Sequence, residues 1–152
     1  MGKRREGREA AVQFLYQLDA NQEEPLTLFA RFWELRSTTG KEASSSGTRA
    51  FARELVEGVT THRDEIDGRI KKYAANYDLH RIAAVDRNVL RVSIYEMLYC
   101  PDVPPVVSIN EAIEIAKRFG SEESGRFVNG ILDRVRAELN RPAREPSTPA
   151  AQ

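Results

Sequence analysis

What this chain of 152 residues lacks narrows its chemistry before any pattern is read. With a single cysteine, Cys100, it can form no internal disulfide, and the residue reads as a small side chain near a helix end. Its two histidines, His62 and His80, are far apart in sequence and show no metal-ligand spacing. There is no Gly-rich phosphate loop and no credible pairing of nucleophile and base. No catalytic residue, metal or cofactor is therefore expected, and the chain does not read as an enzyme. No apolar run approaches the roughly 18 residues of a membrane span, and the charged opening residues lack the apolar core of a signal peptide. A cytoplasmic location is the resulting expectation. Charge of one sign is also missing: 23 Lys and Arg balance 23 Asp and Glu. A protein that coats nucleic acid through bulk charge is thereby disfavoured, and any such site must be local.

What is present is helical periodicity, with no convincing strand. Apolar residues three and four apart predict about seven helices. The first runs near Lys3 to Leu18, with Ala11, Val12, Leu15 and Leu18 on one face, and the second near Leu26 to Arg36. The third starts from about Thr48 and the fourth after His62 or Arg63. The fifth, near Ile82 to Tyr99, is apolar almost all round, which marks a central helix. Ser108 and Glu111 have the spacing of a capping box, predicting a sixth helix that begins at Ile109, and Gly120 supplies the break before a seventh carrying Val128, Ile131, Leu132 and Val135. Such helices must bury their stripes against one another, so the fold class is all-α, a helical bundle. Pro142, Pro146 and Pro149 predict a disordered tail over 141–152 after a folded region of 1–140.

Local charge is found at the N-terminus, where Lys3, Arg4, Arg5 and Arg8 stand against Glu6 and Glu9. On a helix the three arginines share one side, and cations in the opening turns oppose the macrodipole by ~0.3 to 1 kcal/mol each when exposed. The expected consequence is an opening turn that frays until an anion such as a phosphate backbone orders it. A solubilising basic terminus is the alternative.

Four segments in order carry a resemblance: Arg8-Glu9-Ala10-Ala11-Val12-Gln13 with Leu15-Tyr16; Val85-Asp86-Arg87 with Val89-Leu90-Arg91 and Tyr95-Glu96; Asp102-Val103-Pro104 with Ile109-Asn110-Glu111-Ala112-Ile113-Glu114-Ile115-Ala116-Lys117; and Phe127-Val128-Asn129-Gly130-Ile131-Leu132-Asp133. From Arg4 to about Leu139 the chain resembles the NusB family of transcription antitermination factors. The resemblance implies a NusB-like bundle of two packed helical subdomains, roughly 1–76 and 77–140. It implies a non-catalytic RNA-binding adaptor that, with the ribosomal protein known in this role as NusE, binds the boxA element of nascent ribosomal RNA leaders and joins an antitermination complex on RNA polymerase. Carried over by position, Arg4, Arg5, Arg8, Gln13, Glu123, Ser124, Arg126 and Phe127 are the RNA-contact candidates, joined by Lys3 in the basic cluster and by Tyr16 as a stacking surface. Glu123 departs from the Asp that relatives often carry. Phe127 is read equally as a core residue. Asp86 and Tyr95, with Tyr16, are implied to face NusE, although Asp86 could instead pair with Arg87 or Arg91. Two other readings stay open: a NusB-like domain also opens certain ribosomal RNA methyltransferases, which need a large appended cofactor domain, and a homodimer could bury the RNA surface in place of a monomer.

Overall fold

The computed structural model describes residues 3–21, 25–38, 46–74 and 78–139. Among these there are seven α-helices and no strand: α1 (Lys3–Asn21), α2 (Pro25–Thr38), α3 (Ser46–Thr61), α4 (Arg63–Tyr73), α5 (Ala84–Tyr99), α6 (Pro105–Phe119) and α7 (Glu122–Glu138), with a 3-10 turn over Leu79–Arg81. The expected tail over 141–152 lies outside the described residues. No described helix is long and apolar enough to cross a membrane.

The helices form two compact units, Met1–Thr61 and His62–Gln152. The division falls between α3 and α4 instead of near residue 76, so α4 joins the later helices. The reason is physical: α4 is pinned to α5 by a buried ion pair, the Arg91 guanidinium meeting both oxygens of Asp67 at 2.8 and 3.1 Å. Its far end is held by the Glu138 carboxylate of α7, which takes Arg69 at 2.7 Å, Lys72 at 2.5 Å and the Tyr73 hydroxyl. Lys72 and then Tyr73, donating to Glu138, hold that carboxyl below its ordinary range.

In the first unit α1 lies along α3, with α2 completing the core. Ala10, Phe14, Leu15 and Leu18 are buried with Ala52, Leu55, Val56 and Val59, and Phe14 meets Phe29 edge-on at 5.4 Å between centroids. Gly7 permits the close approach of α1, because a Cβ there would sit 2.7 Å from the Phe51 ring. In the second unit α5 is the central helix, buried from Asn88 to Met97 and packed by α4, α6 and α7.

One boundary differs from the sequence expectation in an instructive way. α6 begins at Pro105, four residues before Ile109, because proline is preorganised for the first helical turn and its missing N–H costs nothing there. Ser108 is thus inside the helix and forms no cap. Its hydroxyl, 1% exposed, lies 2.9 Å from that of Ser93 and donates to the buried Glu96 carboxylate at 3.1 Å, hydrogen bonds that tie α6 to α5. Burial makes that partnership decisive, since Glu96 would otherwise lose a donor it cannot replace with water. The cap in this region is Ser121, whose side chain accepts from the Ser124 N–H at 3.2 Å and starts α7. Gly120 before it has φ −120°, an ordinary value. Glycine is needed there for room: a Cβ would lie 2.8 Å from the Ala116 carbonyl.

Candidate nucleic-acid interface

The basic opening of α1 is helical from Lys3; of the Lys3 side chain nothing is described. Phe51 on α3 explains the order. The Arg4 and Arg8 guanidinium groups, one turn apart, lie 4.8 and 5.5 Å from its ring centroid. Such cation–π contacts offset the unfavourable dipole, each contributing about 0.5–1 kcal/mol where exposed. Their surroundings differ: Arg4 is exposed and Arg5 half-buried, whereas Arg8 is only 4% exposed. Of the three arginines expected to contact RNA, Arg8 thus lies mostly covered against the Phe51 ring, while Arg4 and Arg5 are more open. Gln13 accepts from Arg36 of α2 at 2.6 Å through its side-chain oxygen. Tyr16 is half exposed.

The second unit carries the remaining candidates. Glu123 and Arg126 are exposed on the first turns of α7, and Ser124 and Phe127 are half-buried. Phe127 is thus neither a core residue nor a free surface one. With Arg81, Ile82, Ala83, Asp86 and Ser121, the residues Glu123, Ser124 and Phe127 line a cleft of about 250 Å³. The sequence suggested that Asp86 belongs to a protein-partner face; the structure puts it in this cleft, 7% exposed. Arg91 points elsewhere, to Asp67 and Asn88, and Arg87 donates to the carbonyls of Leu79 and Ile82 at 3.1 and 3.0 Å. The Ser124 hydroxyl is near enough to favour the charged form of the Asp86 carboxyl, but Asp86 Oδ1 has no hydrogen-bond partner among the described residues. Tyr95 is 9% exposed and stacks on Tyr99 at 5.6 Å. His62, the residue before α4, is half-buried and stacked on Tyr99 at 4.0 Å. Arg81 and Ser121 were missed as site residues. The Ser-x-x-Ser spacing before α7 marks Ser121 as a cap; nothing local singles out Arg81.

Burial pushes the Asp86 carboxyl above its ordinary value, and the Ser124 hydroxyl only partly opposes this. An acid whose pKa is raised on folding contributes most stability when protonated, below its unfolded pKa, and loses that contribution as pH rises through the folded value. Asp86→Asn is accordingly expected to raise Tm at pH 7.5. The gain should be smaller in acidic buffer, as the Asp86 carboxyl takes up its proton. Thermal melts of the two proteins at both pH values check this; an equal Tm at pH 7.5 would show that the ionised carboxylate is fully compensated.

Comparison with known proteins accords with the fold and the segments that carried the resemblance. The NusB family matches residues 5–137. The transcription antitermination protein NusB of Myxococcus xanthus is 49% identical over 142 residues, covering 93% of this chain and 100% of that relative. That of Desulforapulum autotrophicum is 44% identical over 140 residues, covering 92% and 95%. Among solved structures, T. maritima NusB superposes with TM-score 0.79 at 37% identity, covering 91% of this chain and 93% of that one. A chain in the crystal structure of antitermination factors NusB and NusE in complex with dsRNA gives TM-score 0.78 at 28% identity, covering 91% and 99%. With the family match running from residue 5 to 137 and relatives of this identity covered almost end to end, this chain belongs to the NusB family.

Proposed function

We propose that this chain is a non-catalytic, RNA-binding transcription antitermination factor that works with NusE. In this reading it binds the boxA element of nascent ribosomal RNA leader transcripts in the cytoplasm and helps to assemble a complex on RNA polymerase. The observation that carries the reading is the likeness to a chain solved with NusE and double-stranded RNA. The geometry adds a local source of affinity: Arg4 and Arg5 reach solvent from a helix stiffened by the Phe51 ring, so little ordering entropy is forfeited when a phosphate arrives. Arg126 supplies an exposed cation in the second unit. Tyr16 is the open member of the residues assigned to NusE, and Tyr16→Ala weakens that association in this reading.

Binding of a boxA-containing ribosomal leader and a scrambled RNA, with and without NusE across a salt series, tests the proposal. Selective binding that NusE strengthens is the expected result. In the double variant Arg4→Ala with Arg5→Ala, the log–log salt slope should shrink by roughly 1.4, about 0.7 for each phosphate of single-stranded RNA that is no longer neutralised. An unchanged slope would remove these arginines from the interface, and absence of any RNA preference in either condition would overturn the reading. Sedimentation at several protein concentrations separates a working monomer from a homodimer.

A further inference from the structure

The exposed face of α7 carries a covalent reactivity that RNA binding does not use. Asn129 is the chain's one asparagine followed by a glycine, and both residues are exposed at the middle of the helix. Gly130 has no packing duty, since a Cβ added there would meet nothing within 4 Å. The Asn129 side chain has no hydrogen bond among the described residues. Asparagine before glycine is the arrangement in which a backbone nitrogen attacks a side-chain amide most easily, because the missing Cβ leaves that nitrogen open and its dihedrals free. The helix withholds it here: the Gly130 N–H is directed along the axis to the Arg126 carbonyl and kept away from the Asn129 side chain. Asp67 and Gly68 of α4 form the contrast. Gly68 is likewise exposed and open, but the Asp67 carboxylate is tied to Arg91 at 2.8 and 3.1 Å and cannot turn toward the backbone.

We propose that Asn129 is a deamidation site whose rate is set by opening of the C-terminal half of α7, with the Glu138 carboxylate as the latch. In the opened state the Gly130 nitrogen bonds to the side-chain carbonyl carbon of Asn129. The bond from that carbon to the amide nitrogen breaks, and ammonia leaves with the proton that Gly130 gives up. Water then opens the five-membered imide at one of its two carbonyls, giving aspartate or, with the backbone rerouted through the side chain, isoaspartate. Water is the co-reactant consumed, and nothing is oxidised or reduced. The latch lies about two turns beyond Gly130. Glu138 takes Arg69 at 2.7 Å, Lys72 at 2.5 Å and the Tyr73 hydroxyl, which fastens the end of α7 to α4. Helices open from their ends, so loosening that fastening lowers the cost of freeing Asn129. The product places a carboxylate three residues from the exposed Arg126, on the same side of the helix. On the RNA-binding reading above, it offsets a cation that would meet phosphate.

The test incubates the full chain in mildly alkaline buffer and follows its peptides by mass spectrometry, reading the one-dalton gain and isoaspartate at Asn129. Conversion should be faster than in acidic buffer, because the Gly130 nitrogen must lose its proton to attack. In Glu138→Gln it should be faster on the order of 5-fold, since two partly exposed ion pairs are lost. In urea, where no helix protects the site, the parent and Glu138→Gln should convert at one higher rate. Gly130→Ala, whose methyl has open space in the fold, should convert several-fold more slowly even there. No gain at Asn129 in either folded protein, while the unfolded parent converts, overturns the proposal; equal rates for the folded parent and Glu138→Gln remove the latch and overturn it as well. Asn129→Asp, checked for helicity by circular dichroism, reports the consequence for RNA, with a salt slope smaller by roughly 0.7. An unchanged slope while Asn129 converts supports the modification site and removes Arg126 from the RNA-binding reading.

Discussion

Asp67→Asn is expected to lower stability by about 3 kcal/mol and Tm by about 10 °C, although the substitution changes no volume. Arg91 is only 4% exposed, and its guanidinium meets Asp67 through two nitrogens at 2.8 and 3.1 Å. Neutralising the acid leaves the buried guanidinium facing an amide in place of a carboxylate, while the Asn88 side-chain oxygen stays at 3.0 Å. Breaking one side of a buried pair costs more than the pair is worth, since the remaining charge keeps its desolvation penalty. The low end of the usual range applies because Asp67 is 13% exposed and reached by water. Removing both charges should restore most of the loss. The double variant Asp67→Leu with Arg91→Met is expected within about 1 kcal/mol of the parent. Urea unfolding of the single and double variants measures both; a single variant within about 0.5 kcal/mol of the parent, at the scale of ordinary surface changes, would show the pair to be dispensable.

Gly7→Leu is the second large expected effect, and it links packing to binding. At Gly7 a Cβ would lie 2.7 Å from the Phe51 ring and 3.4 Å from the Thr48 carbonyl. A leucine has to push α1 away from α3 or tilt Phe51, a strain of about 1–3 kcal/mol. The same ring supports Arg4 and Arg8, so its displacement should also weaken RNA binding through misplaced arginines. Gly7→Ala separates the two contributions. Its single methyl needs only a small shift of the half-buried ring, and the gain in helix propensity, about 1 kcal/mol, opposes that strain. Alanine near neutral, with leucine destabilised and impaired in RNA binding, is the expected pattern in denaturant midpoints and binding titrations. Leucine tolerated as well as alanine would mean that α1 has room to slide.

The helices themselves were legible from periodicity and breakers, because burial of one stripe per helix is a local, repeating demand on sequence. α5 declared itself central in the same way, through the lack of a polar face. The four family segments located the candidate site residues, but their environments were another matter. Arg8 looked like an exposed cation because charge is visible in sequence and shielding is not; its burial depends on Phe51, 43 positions later. Asp86 looked like part of a protein-facing surface, yet α7, from Ser121 onward, closes it into a cleft with Arg81. Ser108 carried a cap signal of the right spacing, and lost to a proline start and to Glu96 on the neighbouring helix.

Those cases mark where local pattern stops. Residues within one or two helical turns of one another decide whether a helix forms, which faces are apolar and where caps compete, and all of that is written along the chain. Which cation loses its water, which carboxylate lacks a donor and which helix joins which unit depend on side chains brought together from distant positions. The Asp67–Arg91 pair, separated by 24 residues, assigns α4 to the second unit by one such meeting. No periodicity encodes it, because its energy comes from desolvation in a core that exists only after the helices have packed.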